Sequence, residues 1–251
     1  NNTGIGMNAL YTTSTADNNT ALGKDALKLA TAGHNTALGT WALQANTSAE
    51  SNVAVGDSAL YTATTGGSNV AVGRYALRYS TNASNNIAVG YNSLGANTTG
   101  ERNTAIGGYA LDGNTTATDC TAVGYAALTA VNTGGSNTAL GANALGNNTS
   151  GYYGVGLGRY ALYSNTTGHS NSAVGYNALY SNTTASNNTA FGQAALQLNT
   201  TGSENVAVGG TALDACTTGS YNTAVGTLSL TDCTTGTLNT ACGDVALYQL
   251  T

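Results

Sequence analysis

The sequence has no proline and very little charge. Among its 251 residues only 7% are charged, and Trp, Phe and Met occur once each. Lys and Arg number 6 against 11 Asp and Glu, so the chain lacks the basic clusters with which proteins displace counterions from nucleic acid. It also lacks a run of about 18 apolar residues, which a membrane-spanning helix needs. We therefore expect neither a nucleic-acid nor a membrane partner.

Hydrophobic residues make up 41% of the chain and recur at regular intervals, which argues against a disordered segment. One glycine returns every 17 residues, with a single step of 16 between Gly23 and Gly39. The fifteen glycines are Gly6, Gly23, Gly39, Gly56, Gly73, Gly90, Gly107, Gly124, Gly141, Gly158, Gly175, Gly192, Gly209, Gly226 and Gly243. We number positions from this coil glycine, so that position −2 lies two residues before it and position +4 four residues after it.

Other positions of the repeat are nearly as uniform as the glycine. Position +4 is always Leu, and position +3 is Ala or Ser. Position −2 is Ala except at Gly4 and Gly156, and position −4 is Asn except at Cys120 and Gly154. Positions −3 and −1 mostly carry Thr or aliphatic residues of varying size, with Ser172, Phe191 and Cys242 as exceptions.

A 17-residue repeat is too short for the helical repeat classes, which need two or three helices each. Positions −4 to −1 alternate with period two, and the Asn-Thr-Thr-Gly stretches are typical of turns. Proline would interrupt a ladder of stacked strands, and it is absent. The sequence therefore predicts an all-β fold, a β-solenoid or parallel β-roll of fifteen 17-residue coils with two short strands per coil. We expect one repeat domain over residues 1–251, with no cap at either end.

The alternation also predicts which side chains face inward. Because close packing tolerates little change of volume, the uniform Ala at position −2 and Leu at position +4 are expected inside, with Leu pointing opposite to its Ala neighbour at position +3. The Asn at position −4 is expected to form a stacked amide ladder at a corner. Positions −3 and −1 would then form an outward apolar stripe that needs a partner, and a homotrimer would supply it. In the alternative, Val and Leu fill the interior of a monomer and the Ala/Gly face is exposed.

The repeat resembles two groups of known proteins. The copy NSAVGYNALYSNTT at residues 171–184 is similar to the head repeats of trimeric autotransporter adhesins and to repeats of phage tail-fibre proteins. The resemblance extends over all fifteen copies and implies a homotrimeric left-handed β-roll in a fibre, located extracellularly on a cell surface or virion. Because neither end of the chain resembles a cap, we expect that it was cut from a longer fibre or stacks end to end into a filament.

No catalytic constellation or metal site is predicted. The two histidines, His34 and His169, lie in polar turns eight coils apart, and the acidic residues are scattered rather than spaced as in a calcium loop. No cofactor motif is present, because the Gly-x-Gly fragments belong to the repeat and no phosphate-loop Lys follows them. We expect a protein that is not an enzyme.

Cys216 and Cys233 are 17 residues apart and occupy the same position of neighbouring coils. Their Cα atoms are expected about 5 Å apart, which permits a disulfide. The alternative is a pair of free thiols in register. Several Asn-x-Thr sequons are expected in exposed turns that could accept a glycan, and the alternative is that Asn and Thr serve only as turn residues. They begin at Asn97, Asn114, Asn165, Asn182 and Asn199.

Tyrosines supply the only candidate ligand site. A candidate glycan contact combines four tyrosines on two adjacent coils with one arginine: Tyr160, Tyr163, Tyr176, Tyr180 and Arg159. Their rings could stack on sugars, or they could form a structural ladder across strands.

The function expected first is therefore a structural or adhesive fibre segment that gives a stiff rod and surface attachment. A carbohydrate-binding module of a receptor-binding fibre is the alternative. An ice-binding solenoid is a third, weakened because residues other than Thr interrupt the Thr array at position −3. The Val and Ile residues that interrupt it are Val53, Val70, Ile87, Val155 and Val206.

Overall fold

The computed structural model describes residues 1–12 and 16–249. It forms two compact units, Asn1–Tyr125 and Ala126–Thr251. Every strand is three residues long and occupies positions −3 to −1 of one coil. Unit 1 contains β1 (Thr3–Ile5), β2 (Thr20–Leu22), β3 (Thr36–Leu38), β4 (Val53–Val55), β5 (Val70–Val72), β6 (Ile87–Val89), β7 (Thr104–Ile106) and β8 (Thr121–Val123). Unit 2 contains β9 (Thr138–Leu140), β10 (Val155–Leu157), β11 (Ser172–Val174), β12 (Thr189–Phe191), β13 (Val206–Val208), β14 (Thr223–Val225) and β15 (Thr240–Cys242).

Within each unit every strand pairs in parallel with the strand of the next coil. Equivalent positions are opposite each other, as in the pairs Val53↔Val70 and Ala54↔Ala71. The 16-residue step keeps this register, because Thr20 pairs with Thr36 and Leu22 with Leu38. The predicted all-β solenoid with one coil per repeat is confirmed. The single domain over residues 1–251 stays a prediction.

The prediction of two strands per coil is wrong for the described residues, which contain one strand per coil. The segment after the glycine is a series of turns, because residues at positions +2 and +4 adopt left-handed backbone conformations. Tyr75 and Leu77, for example, have φ of 64° and 49°. Such values are unfavourable for non-glycine residues and persist only where the surrounding structure enforces them. Here the neighbouring coils enforce them through backbone hydrogen bonds such as that from Leu77 N to Ser93 O at 3.0 Å.

The coil glycine adopts a backbone conformation that is costly for other residues. Gly158 has φ of 133°, outside the range of L-amino acids. A Cβ at this position would lie 2.5 Å from the carbonyl oxygen of Gly175 in the next coil. Both the torsion angle and the close approach of adjacent coils therefore require glycine.

Small side chains and, from the second to the fourteenth coil, one leucine per coil fill the interior. The residue at position −2 is buried in every strand from β2 to β15, while positions −3 and −1 are exposed or half-buried. The predicted inward Ala and Leu columns are thus confirmed, and the alternative with Val and Leu inside is wrong. The Leu at position +4 does not point opposite to the Ala at position +3: Ala195 and Leu196 are both fully buried.

The first asparagine column, at position −4, forms the predicted ladder. The side-chain oxygen of each Asn accepts a hydrogen bond from the backbone N–H at the same position of the next coil, as between Asn188 Oδ1 and Asn205 N at 2.9 Å. Its side-chain nitrogen donates to the carbonyl at position +10, as from Asn188 Nδ2 to Gly202 O at 2.9 Å. Each asparagine therefore supplies hydrogen-bond partners to buried backbone groups outside its own turn.

A second asparagine column, at position +7, was not expected. It consists of Asn46, Asn97, Asn114, Asn148, Asn165, Asn182 and Asn199, all of them buried. Each of these side chains bonds the carbonyl three residues ahead, as from Asn182 Nδ2 to Ala185 O at 3.1 Å. Neighbouring members also bond each other, as from Asn182 Nδ2 to Asn165 Oδ1 at 2.8 Å.

The second column corrects the expectation of exposed sequons. Asn97, Asn114, Asn165, Asn182 and Asn199 are at most 2% exposed, because stacking of the coils encloses turns that would be solvated in a single hairpin. This burial fits the alternative, in which Asn and Thr serve as structural turn residues.

Candidate functional site

The outward face of the strands carries a continuous row of apolar side chains in each unit. We call the residues at position −1 the apolar stripe. In unit 1 the most exposed members after the first coil are Leu22, Leu38 and Ile106, and in unit 2 they are Leu140, Phe191, Val208 and Val225. Their fractional exposure lies between 39% and 48%, far above that of a core residue.

The stripe follows directly from the strand geometry. The strands are stacked in register, so side chains at position −1 line up along the sheet about 4.8 Å apart. Val206 and Val208, at the two ends of β13, are both exposed on its outward face, while Ala207 between them is fully buried. Position −3 thus widens the apolar surface wherever it holds Val or Ile instead of Thr.

Most of the predicted glycan-contact residues come together in unit 2. The Tyr163 and Tyr180 rings are stacked, with centroids 5.5 Å apart, and Tyr160 meets Tyr163 edge-on at 5.4 Å. The guanidinium carbon of Arg159 lies 4.7 Å from the centroid of Tyr160, and Arg159 Nη2 donates to the Tyr160 hydroxyl at 3.2 Å. The three rings are half-buried and Arg159 is exposed.

Tyr176 does not share this cluster in the described residues: its ring is exposed, and no aromatic contact to it is found. Tyr152 and Tyr153 form a separate edge-on pair. Tyr152 also stacks on His169, with centroids 4.9 Å apart and ring planes at 9°. His169 is therefore a stacking partner, while His34 lies exposed in unit 1.

A second group of tyrosines, in unit 1, was missed by the sequence analysis. We call Tyr75, Tyr91, Tyr109 and Tyr125 the tyrosine ladder. Successive ring centroids are 6.0, 5.2 and 5.9 Å apart, with ring planes tilted by 58° to 80°. Burial within this row, together with the neighbouring hydroxyl groups, raises the pKa of Tyr109 above its ordinary value.

The signal for the ladder is a spacing of 16, 18 and 16 residues, because the tyrosines alternate between positions +2 and +1. A comparison of single positions does not reveal it. The turn after the glycine brings the two positions to the same surface, so that tyrosines in different columns become neighbours.

Cys216 and Cys233 stand in the second asparagine column, at position +7, and both are buried. They are free thiols in the structure. Burial and the nearby Cys233 raise the pKa of Cys216 to about 11. Because the attacking species in thiol chemistry is the thiolate, this shift slows oxidation and alkylation at neutral pH. The disulfide between them stays a prediction.

The two remaining cysteines lie at positions −4 and −1 of their coils. Cys120 replaces an asparagine of the first column, and its backbone N–H still bonds Asn103 Oδ1 at 3.0 Å. Cys242 is exposed in the apolar stripe. Within residues 1–12 and 16–249 no group of three or more potential metal-ligating residues occurs, and the same residues include no helix long and apolar enough to span a membrane.

Comparison with known protein families and with curated proteins finds no match to this chain. The likeness to adhesin and tail-fibre repeats therefore stands on the repeat sequence alone.

Proposed function

We propose that this chain is a structural and adhesive segment of an extracellular fibre, on a cell surface or a virion, and that it associates as a homotrimer through the apolar stripe. Stacked coils, in which each turn bonds the next, provide a stiff scaffold. The resemblance to adhesin and tail-fibre repeats supports the same function and supplies the expectation of a left-handed roll.

The observation that carries the proposal is the stripe itself. Exposed apolar rows of this extent are unusual on monomeric soluble proteins and are typical of interaction surfaces. A parallel trimer would place the same row of each chain around one axis, so that Phe191 and Val208 are covered by their counterparts. The varied size of the residues in the stripe suits contacts between identical chains, since the same sequence of sizes occurs on each of them.

Sedimentation velocity tests this proposal. We expect a mass of three times 24.9 kDa for the unaltered chain. Electron micrographs should show short particles or end-to-end filaments. Phe191→Lys and Val208→Lys should dissociate the trimer, because a buried unpaired ammonium group is strongly disfavoured. Leu198→Lys is the matched control: Leu198 belongs to the same coil as Phe191 and is 48% exposed, but it lies outside the stripe.

Circular dichroism distinguishes dissociation from unfolding, since a dissociated but folded variant keeps its spectrum. A monodisperse monomer of the unaltered chain would disprove the trimer. Equal dissociation by Leu198→Lys would show that the stripe is not the interface.

A second candidate function is carbohydrate binding, and the clustering of Tyr160, Tyr163 and Tyr180 beside Arg159 favours it. Half-buried rings lose little conformational freedom on binding, and the exposed guanidinium group can donate to sugar oxygens. Glycan-array binding that is lost in Tyr180→Ala but retained in Tyr221→Ala, an exposed tyrosine outside the cluster, would support it. The ice-binding alternative predicts thermal hysteresis.

A further inference from the structure

Two arginines of unit 1 flank the same tyrosine. The guanidinium carbons of Arg74 and Arg78 lie 4.4 and 4.5 Å from the ring centroid of Tyr75. Arg78 also lies 5.0 Å from the centroid of Tyr79, a ring that is 48% exposed. Two of the six basic residues of an acidic chain are thus concentrated within one coil.

The two arginines differ in how their charge is balanced. Arg74 Nε lies 3.4 Å from Asp57 Oδ2, and its Nη2 donates to the Tyr75 hydroxyl at 2.7 Å. Arg78 has neither an ion pair nor a side-chain hydrogen bond among the described residues, and its Nε is buried without a partner. A buried donor without an acceptor is costly, and the cost is greater when the group is charged.

Arg102, by contrast, is neutralised by carboxylates of the chain itself. Its Nε and Nη2 form a two-point contact with Asp119 at 2.7 and 3.1 Å, and Nη1 bonds Glu101 at 3.0 Å. The contact with Arg102 holds the pKa of Asp119 below its ordinary value. Among the described residues no acidic side chain pairs with Arg78, so its guanidinium charge is unbalanced there and can attract an external carboxylate or sulfate.

The tyrosine ladder begins at the same place. From Tyr75, which both arginines flank, the ladder continues over three further coils through Tyr91, Tyr109 and Tyr125. Each of these three rings is at least 36% exposed. An anion held at Arg78 would therefore have a row of exposed aromatic surfaces beside it, which suits an extended chain of sugar rings.

We propose that Arg74, Arg78 and the tyrosine ladder form a binding site for an acidic glycan, whose carboxylate or sulfate group is held by Arg78 while neighbouring sugars lie on the tyrosine rings. The site is separate from the tyrosine cluster around Arg159. It deepens the adhesive part of the proposed function by naming the ligand class. A chain that fails to form trimers can still bind the glycan, so the two proposals fail independently.

Calorimetric titration of the full chain tests the site with three probes of equal length: a sulfated heparin-derived hexasaccharide, a hexamer of galacturonic acid and neutral maltohexaose. We expect at least one acidic probe to bind, with an affinity that falls as salt rises, and maltohexaose to bind at least about tenfold more weakly. The acidic probe that binds better identifies sulfate or carboxylate as the preferred group.

Arg78→Gln should raise the Kd of the acidic probe about tenfold, because it removes a charge-assisted two-point contact. The Kd of Arg78→Lys should lie between those of the unaltered chain and of Arg78→Gln, since lysine keeps the charge but lacks the planar guanidinium group. Arg102→Gln is the matched control, because it removes the same charge from an arginine already engaged by two acids, and less than about a twofold change is expected. Tyr125→Ala, at the far end of the ladder, should weaken binding about threefold without touching either arginine.

Several results would overturn the site. Equal affinity for all three probes, or no binding of any, would remove the acidic glycan. Equal losses in Arg78→Gln and Arg102→Gln would show attraction to bulk charge only. A loss in Arg159→Gln with none in Arg78→Gln would place the ligand in unit 2. If Arg78→Gln lowers the thermal midpoint, Arg78→Lys and Tyr125→Ala still decide the question.

Discussion

The two asparagine columns contain the same side chain, buried in both columns in the inner coils, and yet they differ in tolerance to substitution. The first column, at position −4, departs from Asn only at Cys120 and Gly154 among the fifteen coils. The second column, at position +7, is replaced in many coils by small or apolar residues. Among the described residues the replacements are Ala30, Ala63, Ser80, Val131, Cys216 and Cys233.

The difference lies in the partner of the side-chain oxygen. In the first column the oxygen accepts a backbone N–H of the next coil, and that N–H remains buried whatever side chain replaces the asparagine. In the second column it accepts the side-chain amide of the next asparagine where the column continues, as Asn182 Oδ1 does from Asn199 Nδ2 at 3.0 Å. Asn46 and Asn114 have no asparagine at this position of the next coil, and their oxygens accept the backbone N–H three residues ahead. Removing one partner of a buried hydrogen bond is costly, whereas removing both can be nearly neutral. Backbone groups cannot be removed, so the first column is the more constrained.

The strongest test of this comparison is Asn188→Ala in the first column. It leaves the backbone N–H of Asn205 without its acceptor and removes one of the two donors to Gly202 O. We expect a loss of about 3 kcal/mol in the free energy of unfolding. Amide hydrogen exchange at Asn205 should accelerate before global unfolding, which identifies the orphaned group. Unchanged protection of that amide would contradict the assigned role.

Asn182→Ala in the second column should cost less, about 1 kcal/mol, because only one of the three partners it leaves behind, the side-chain oxygen of Asn165, is left unpaired. Ala185 O still accepts from Asn171 Nδ2 at 2.7 Å, and Asn199 Nδ2 still donates to Gly202 O at 2.8 Å. Denaturant titration of this variant beside Asn188→Ala gives the difference directly. A loss equal to that of Asn188→Ala would mean that burial alone, and not the partner, determines the cost.

Asn199→Ala should have the smallest effect, no more than about 0.5 kcal/mol. Asn199 is followed in its column by Cys216, and its side-chain oxygen is buried without a partner. The substitution removes this unsatisfied oxygen along with two hydrogen bonds and leaves Asn182 Oδ1 unpaired in its place, so the number of unpaired buried oxygens does not rise. Gly202 O keeps its bond from Asn188. The same denaturant titration measures it, with Asn182→Ala as the matched control one coil away. A greater loss in Asn199→Ala than in Asn182→Ala would refute the explanation by partners.

Much of the coil could be predicted because its constraints repeat. The glycine column is required by a backbone φ near 135° and by close contact between coils, and a requirement repeated in every coil is visible as a period. The inward Ala of each strand and the outward apolar stripe follow from the period-two alternation of a strand. The ladder at position −4 was predictable for the same reason, since its asparagine scarcely varies.

The turn after the glycine could not be predicted in this way. Leu77 and Tyr75 adopt left-handed conformations that neither residue favours locally, and the alternation rule for strands gave the wrong direction for leucine. The tyrosine ladder and the second asparagine column both belong to turns, where positions that differ along the chain become neighbours. For that reason the asparagines of the second column, a residue type typical of exposed turns, were expected at the surface although they are buried.

The sequence by itself determined the length of the coil, the place of its strand and the residues that the strand turns inward or outward, because these depend on period and on glycine geometry alone. Only the tertiary structure decided how the rest of the coil is folded, which asparagines are enclosed, and which tyrosines meet Arg74 and Arg78. The physical reason is that left-handed turns are stabilised by hydrogen bonds to the neighbouring coil, and those bonds exist only once the coils have stacked.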